Sequence, residues 1–111
     1  MATEIFTPDP KDVQDNRAMG ILAYISILVL VPIFAAKESP FARFHANQGL
    51  ILFIVEVAAS LISNILGGFI ISLLMWAVNV VCTVFSIIGI VNAAKGKCVA
   101  LPIIGGIQLL K

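Results

Sequence analysis

Long uncharged runs broken by short polar stretches set the pattern of this chain. Between Arg17 and Lys37 every residue is uncharged, "AMGILAYISILVLVPIFAA". That is close to the roughly 20 apolar residues a helix needs to cross about 30 Å of hydrocarbon, so the pattern predicts a first span over 18–36. Pro32 near its end is tolerated in a membrane helix and predicts a kink, because it removes one backbone hydrogen bond. The next run, "FARFHANQGLILFIVEVAAS", starts polar with Arg43, His45, Asn47 and Gln48, turns apolar at Leu50, and places Glu56 in the apolar part.

From Val57 to Ala94 there is again no charge. As a single helix at 1.5 Å per residue this stretch and the one before it would far exceed a bilayer, so the chain must turn. "NILGGF" supplies the turn: Gly67 and Gly68 end a helix and accept positive φ. The second span is then 44–66 and the third 69–94. Ser39 followed by Pro40 reads as an N-cap and first helical residue, with Phe41 and Phe44 as interfacial anchors. Asp9 before Pro10 predicts a cap for a short polar surface helix within 1–17. The last stretch, 98–111, is apolar, too short to span and broken by Pro102, Gly105 and Gly106, which predicts an interfacial tail. The expected architecture is an all-α integral membrane protein, a three-helix transmembrane bundle over 18–97.

Composition agrees with the pattern. The 111 residues are 60% hydrophobic and 12% charged with mean hydropathy +1.09, outside the range of soluble domains. A net charge of +1 gives no footprint for nucleic acid. The first 17 residues carry four acids against Lys11 and Arg17, unlike the basic start of a cleaved signal peptide, so the segment is expected to be kept. With three spans, Lys37, Arg43, Lys95, Lys97 and Lys111 lie on one side and Lys11 and Arg17 on the other. The charge rule then predicts the N-terminus outside and the C-terminus in the cytoplasm.

Glu56 is the unusual residue. The apolar side chains of the second span favour insertion by about 4 to 7 kcal/mol, against a cost of about 3 for a charge at its centre, so the helix needs polar partners. A hairpin folded at Gly67 and Gly68 sets Glu56 level with Asn79 and Ser63 level with Ser72. Gly49, Glu56, Ser60 and Ser63 recur at helical spacing on one helix, and Ser72, Asn79, Thr83 and Ser86 on the next. Both stripes are expected to face the bundle interior as a polar seam. Ala59, Ser63 and Gly67 add a ridge of small residues for close helix approach. Glu56 is either a neutral carboxyl that packs the hairpin or a proton or cation site. His45 lies about 16 Å away along the helix, too far for a direct relay.

No catalytic constellation stands out: there is one His, no Gly-rich phosphate loop with a Lys, and no His/Cys spacing for a metal. No cofactor is implied. Cys98 beside Lys95 and Lys97 is a weak lipidation signal and more simply a small hydrophobe. Cys82 and Cys98 belong at different depths and make a poor disulfide.

Two segments carry a resemblance. "SPFARFHANQGLILF", with Phe44, His45, Gln48 and Gly49, resembles the F-H-x-x-Q-G/A signature of a widespread family of small bacterial membrane proteins of unknown function. "IIGIVNAAKGKCVALPII", with Ala93, Gly96 and Pro102, is similar to that family's ending, A-x-x-G followed by Pro. The family is related to the MamF-type magnetosome membrane proteins and, distantly, to the chloroplast inner-envelope import channel subunit. The resemblance covers residues 16–111 and implies a structural or assembly role in a membrane, through oligomers or a partner protein.

The sequence therefore points to a non-catalytic, membrane-organising protein of the bacterial cytoplasmic membrane or a membrane derived from it. Its expected partners are lipids and either further copies of itself or other membrane proteins. The alternative is a small oligomeric channel or proton-coupled transporter with Glu56, Ser60, Asn79 and Thr83 along its pathway.

Overall fold

Two of the three expected long helices form. The computed structural model, which describes residues 4–99 and 101, builds them as one helical hairpin. In chain order the elements are β1 (Glu4–Phe6), α1 (Pro10–Leu22), a 3₁₀ turn (Ser26–Val29), α2 (Leu30–Ala35), α3 (Pro40–Leu66), α4 (Phe69–Ala94) and β2 (Cys98–Val99). α3 begins where Ser39 and Pro40 place it: the Ser39 hydroxyl accepts the Ala42 amide at 3.0 Å, and Pro40 occupies a first-turn position where no amide hydrogen is needed. The turn falls at Gly67 and Gly68, with φ of +60° and +86°, values that glycine adopts without a Cβ clash. Both long helices are apolar and mostly uncovered within the molecule, unlike the core helices of a soluble protein, and each is long enough to cross a membrane.

The stretch 18–36 departs from expectation. It forms no single helix: α1 starts at Pro10, capped by Asp9 through the Lys11 amide at 3.0 Å, kinks at Asn16, where φ −123° and ψ 15° leave the helical region beside the expected boundary at residue 17, and resumes to Leu22. The chain then bends at Ala23–Ile25, reaches φ +48° at Ser26, and returns as the 3₁₀ turn and α2. The break lies upstream of Pro32, which sits buried in the first turn of α2, where its missing amide costs nothing. α1 is more than a surface helix, since Val13 and Gly20 are buried and it packs against both α3 and α4.

Close contacts fix the path of this broken segment. Asp12 near the start of α1 meets Ser39 and Phe41 at the start of α3. At the bend, the Ala23 carbonyl presses on Gly49, where an added Cβ would lie 1.7 Å from the oxygen, and Val29 touches the same glycine. The segment thus rises beside α3 from its first turn to Gly49 and descends again to Ser39. Gly49 lies about 14 Å along a helix about 40 Å long. α1 and α2 therefore form a shallow hairpin at one end of the α3–α4 pair.

The ends of this unit correct a second expectation. β1 pairs antiparallel with β2, Glu4 opposite Val99 and Phe6 opposite Cys98 with an irregular step between, so the segments before α1 and after α4 share one end. The odd number of crossings assumed from the sequence would have separated them; the bend at Ala23–Ile25 brings the chain back. The core sits at this end, around Tyr24, Val29, Phe41, Leu52, Ala93 and Cys98. Of the expected interfacial tail, Cys98 and Leu101 are buried in that core, and 102–111 lie outside the described residues.

Candidate functional site

The polar residues at the start of α3 are the ones the fold brings together. His45 and Gln48 are one turn apart and completely or almost completely buried, with Tyr24, the residue at the bend, facing them. The Tyr24 hydroxyl lies 2.6 Å from His45 Nδ1, and His45 Nε2 lies 2.8 Å from the Lys97 carbonyl oxygen. A carbonyl only accepts, so Nε2 carries the proton and Nδ1 accepts from Tyr24; the imidazole is neutral. Gln48 Nε2 donates to the Tyr24 oxygen at 2.7 Å and, at a longer 3.4 Å, to the Val99 carbonyl. Gln48 Oε1 accepts the Leu101 amide at 2.6 Å. The relay has one consistent direction, and no buried side-chain polar atom among the described residues is left without a partner.

These bonds form a clamp on the chain after α4. The main-chain groups of Lys97, Val99 and Leu101 are held by side chains of α3, as a neighbouring strand would hold them, while β1 pairs with the same segment. The Phe41, Phe44 and Tyr24 rings stand edge-on to His45, with centroids 4.9, 5.2 and 5.5 Å away, and seal the imidazole.

Small residues make room for this arrangement. A Cβ on Gly89 would lie 2.3 Å from the Tyr24 ring, so α4 admits the ring only as glycine. Gly20 lies against the Phe41 ring and Ala93, and Ala93 is fully buried. α4 ends in a Schellman turn: Gly96, at φ +72°, donates to the Ala93 carbonyl and Lys97 to that of Asn92, which aims the chain into the clamp. The two resemblance motifs are thus the two halves of one structure. The turn also leaves Cys98 buried, where its thiol does not face a membrane surface.

A second polar cluster ties α1 to α3. The Asp12 carboxylate accepts the Ser39 hydroxyl, the Phe41 amide at 3.1 Å and the Asn16 side chain at 2.9 Å. A negative group at a helix N-terminus meets both unsatisfied amides and the positive end of the dipole. Tyr24 and Asp12 both escaped sequence reasoning. A single Tyr in an apolar run reads as an interfacial anchor, although a buried hydroxyl must find a partner; Asp12 carried only its spacing of four from Asn16.

The residues expected along the polar seam are not gathered in the same way. Glu56 and Ser63 are half-buried, whereas Ser60, Ser72, Asn79 and Thr83 are exposed. Among the described residues no hydrogen bond joins Glu56 to Asn79; Thr83 bonds back to the Asn79 carbonyl of its own helix at 2.9 Å. The expectation that both stripes face inward is corrected by the packing of the hairpin. Level pairing fixes depth but not rotation, and α4 turns Val78, Cys82 and Phe85 toward Leu52 and Val55 of α3 along an apolar groove of about 560 Å³. Among the described residues, no three His, Cys, Asp or Glu side chains converge as metal ligands.

Comparison with known proteins places the chain in one family. Residues 15–110, from α1 through the clamp, match the magnetosome magnetite crystal formation protein family. The chain is 32% identical over 91 residues to the magnetosome protein MmsF of Paramagnetospirillum magneticum, covering 80% of this chain and 81% of that one. It is 30% identical over 93 residues to the magnetosome protein MamF of the same organism, covering 78% and 77%. It is also 29% identical over 97 residues to the UPF0132 membrane protein MJ1527 of Methanocaldococcus jannaschii, covering 84% and 67%. No solved structure matches it. With a match that takes in the bend, both motifs and the chain they clamp, this protein belongs to the magnetosome magnetite crystal formation family.

Proposed function

We propose that the chain is a non-catalytic integral membrane protein that organises the membrane of a crystal-forming compartment. In this reading α3 and α4 cross the bilayer and the clamped end works on its cytoplasmic face. Family membership supports the setting, and the uncovered apolar surfaces of α3 and α4 support the crossing. The charges support the orientation. Lys11, Arg17, Lys37, Arg43, Lys95 and Lys97 all belong to the clamped end, and none lies between Phe44 and Ala94, so the charge rule puts that end in the cytoplasm. Both ends of the described chain are then cytoplasmic.

The observation that carries the non-catalytic reading is the closure of the clamp. His45, Gln48 and Tyr24 spend their hydrogen-bonding capacity on one another and on the main chain of 97–101, which leaves no substrate-facing group among them. Glu56, half-buried on α3, acts in this account as a packing residue, with lipids and other membrane proteins as the partners of the outer surface.

Expression in a magnetite-forming bacterium that lacks its MmsF-type protein tests the proposal. Electron microscopy should show crystal formation restored by the wild-type chain, and by Glu56→Gln as well. A wild-type chain that reaches the membrane and leaves the crystals unchanged contradicts the proposal, as does loss of rescue with Glu56→Gln at equal protein levels.

A further inference from the structure

The molecule is unequal from end to end. At the clamped end five helical elements lie together: α1 against α3 and α4, and the 3₁₀ turn and α2 against α3. Beyond Gly49 the α3–α4 hairpin continues alone for about 26 Å. The shallow hairpin also shows a large apolar surface, for Ile25, Ile27, Leu28, Leu30, Val31 and Phe34 are all exposed, Ile27 by 59% and Phe34 by 67%. Close to Phe34, the Lys37 ammonium lies 5.9 Å from the ring centroid, an aromatic and cation pair of the kind that settles at a headgroup boundary. The first half of α1, by contrast, carries Lys11, Asp12, Asp15 and Arg17 and belongs among headgroups.

Such a segment lodges in one leaflet. Its apolar side reaches the acyl boundary, its charged side stays in the headgroups, and its tip at Gly49 stops far short of the other leaflet. Insertion to a depth of about 5–10 Å adds area to that leaflet alone, and binding of this kind is sensitive to curvature. We propose that the chain selects curved membrane: the hairpin of α1 and α2 is a wedge, and the protein concentrates on bilayer that is convex on the clamped side. The partner is the lipid surface itself. The inference rests on the two crossings argued above.

The test uses the full chain, labelled and reconstituted into giant vesicles of neutral and anionic phospholipid, with narrow tubes drawn from them. Where the clamped end faces outward, the ratio of protein to lipid should be at least about twofold higher on a tube of about 20 nm radius than on the flat vesicle, and should rise as the tube narrows. Molecules inserted the other way round should be depleted from the same tubes, a sign reversal that needs no variant. The triple substitution Ile27→Ser, Leu28→Ser and Val31→Ser should bring the ratio to one while α3 and α4 keep the protein in the membrane. A wild-type ratio of one at every radius, or enrichment independent of orientation, overturns the inference; retained enrichment in the triple variant overturns the assignment to the wedge. A chain that fails to float with vesicles at all would instead overturn the two-crossing reading beneath it.

Discussion

At Tyr24, one hydroxyl accepts from Gln48 and donates to His45, so its removal opens two buried bonds at once. Tyr24→Phe keeps the ring in its place on Gly89 and isolates the polar loss; it should lower stability by about 1–3 kcal/mol in a thermal melt in mild detergent. Gln48→Leu should cost a similar amount, about 1–3 kcal/mol, and should also speed hydrogen exchange at Leu101, whose amide loses its acceptor. Exchange at Leu101 as slow as in the wild type would show that the clamp does not hold the segment. Gly49→Ala drives a Cβ into the Ala23 carbonyl and is expected to displace the bend, whereas Ser60→Ala on the exposed side of the same helix should be neutral. Sequence reasoning found His45 and Gln48 through a local signature. It missed Tyr24 because the bond crosses more than twenty residues and nothing in "AYIS" marks a bend. There the tertiary demand for a carbonyl on Gly49 and a ring on Gly89 overrides the helical pattern.

Among the elements, α3 and α4 were legible because each boundary has its own local chemistry: Ser39 and Pro40 at one start, paired glycines at the turn, and Gly96 in a Schellman turn at the end. The first apolar run was misread for the opposite reason. Hydropathy reports that a segment avoids water, and a bent pair of short helices satisfies that condition as well as one straight helix does. Rotation of α4 about its own axis was equally hidden, so the expected seam put Asn79 level with Glu56 without facing it. Docking of the shallow hairpin depends on Asp12 at the start of α3. Asp12→Ala should weaken the unit by about 0.5–2 kcal/mol, as the loss of a helix cap does. Limited proteolysis in membranes should then cut within residues 10–36 sooner, with α3–α4 still protected. An unchanged cleavage pattern would mean that packing at Gly20 and Gly49 alone docks the hairpin.

On the scale of the whole molecule, extents of 49 × 30 × 20 Å describe a long hairpin with its ordered core at one end. That core is built from residues far apart in sequence, Tyr24, His45, Gln48 and 97–101, and it joins the bend, the start of α3 and the end of α4 in one polar network. Family motifs placed at the two ends of the hairpin meet there. The central claim is that residues before the bend, residues after it and residues beyond α4 all share one side of the membrane. Substituted-cysteine labelling with an impermeant maleimide, on membranes of known orientation, tests it most directly. Asp15→Cys, Lys37→Cys and Lys95→Cys should react from the same side, and Asn64→Cys, near the glycine turn, from the other. Reaction of Asp15→Cys and Lys37→Cys from opposite sides would contradict the account, since it would mean that 18–36 crosses the bilayer after all.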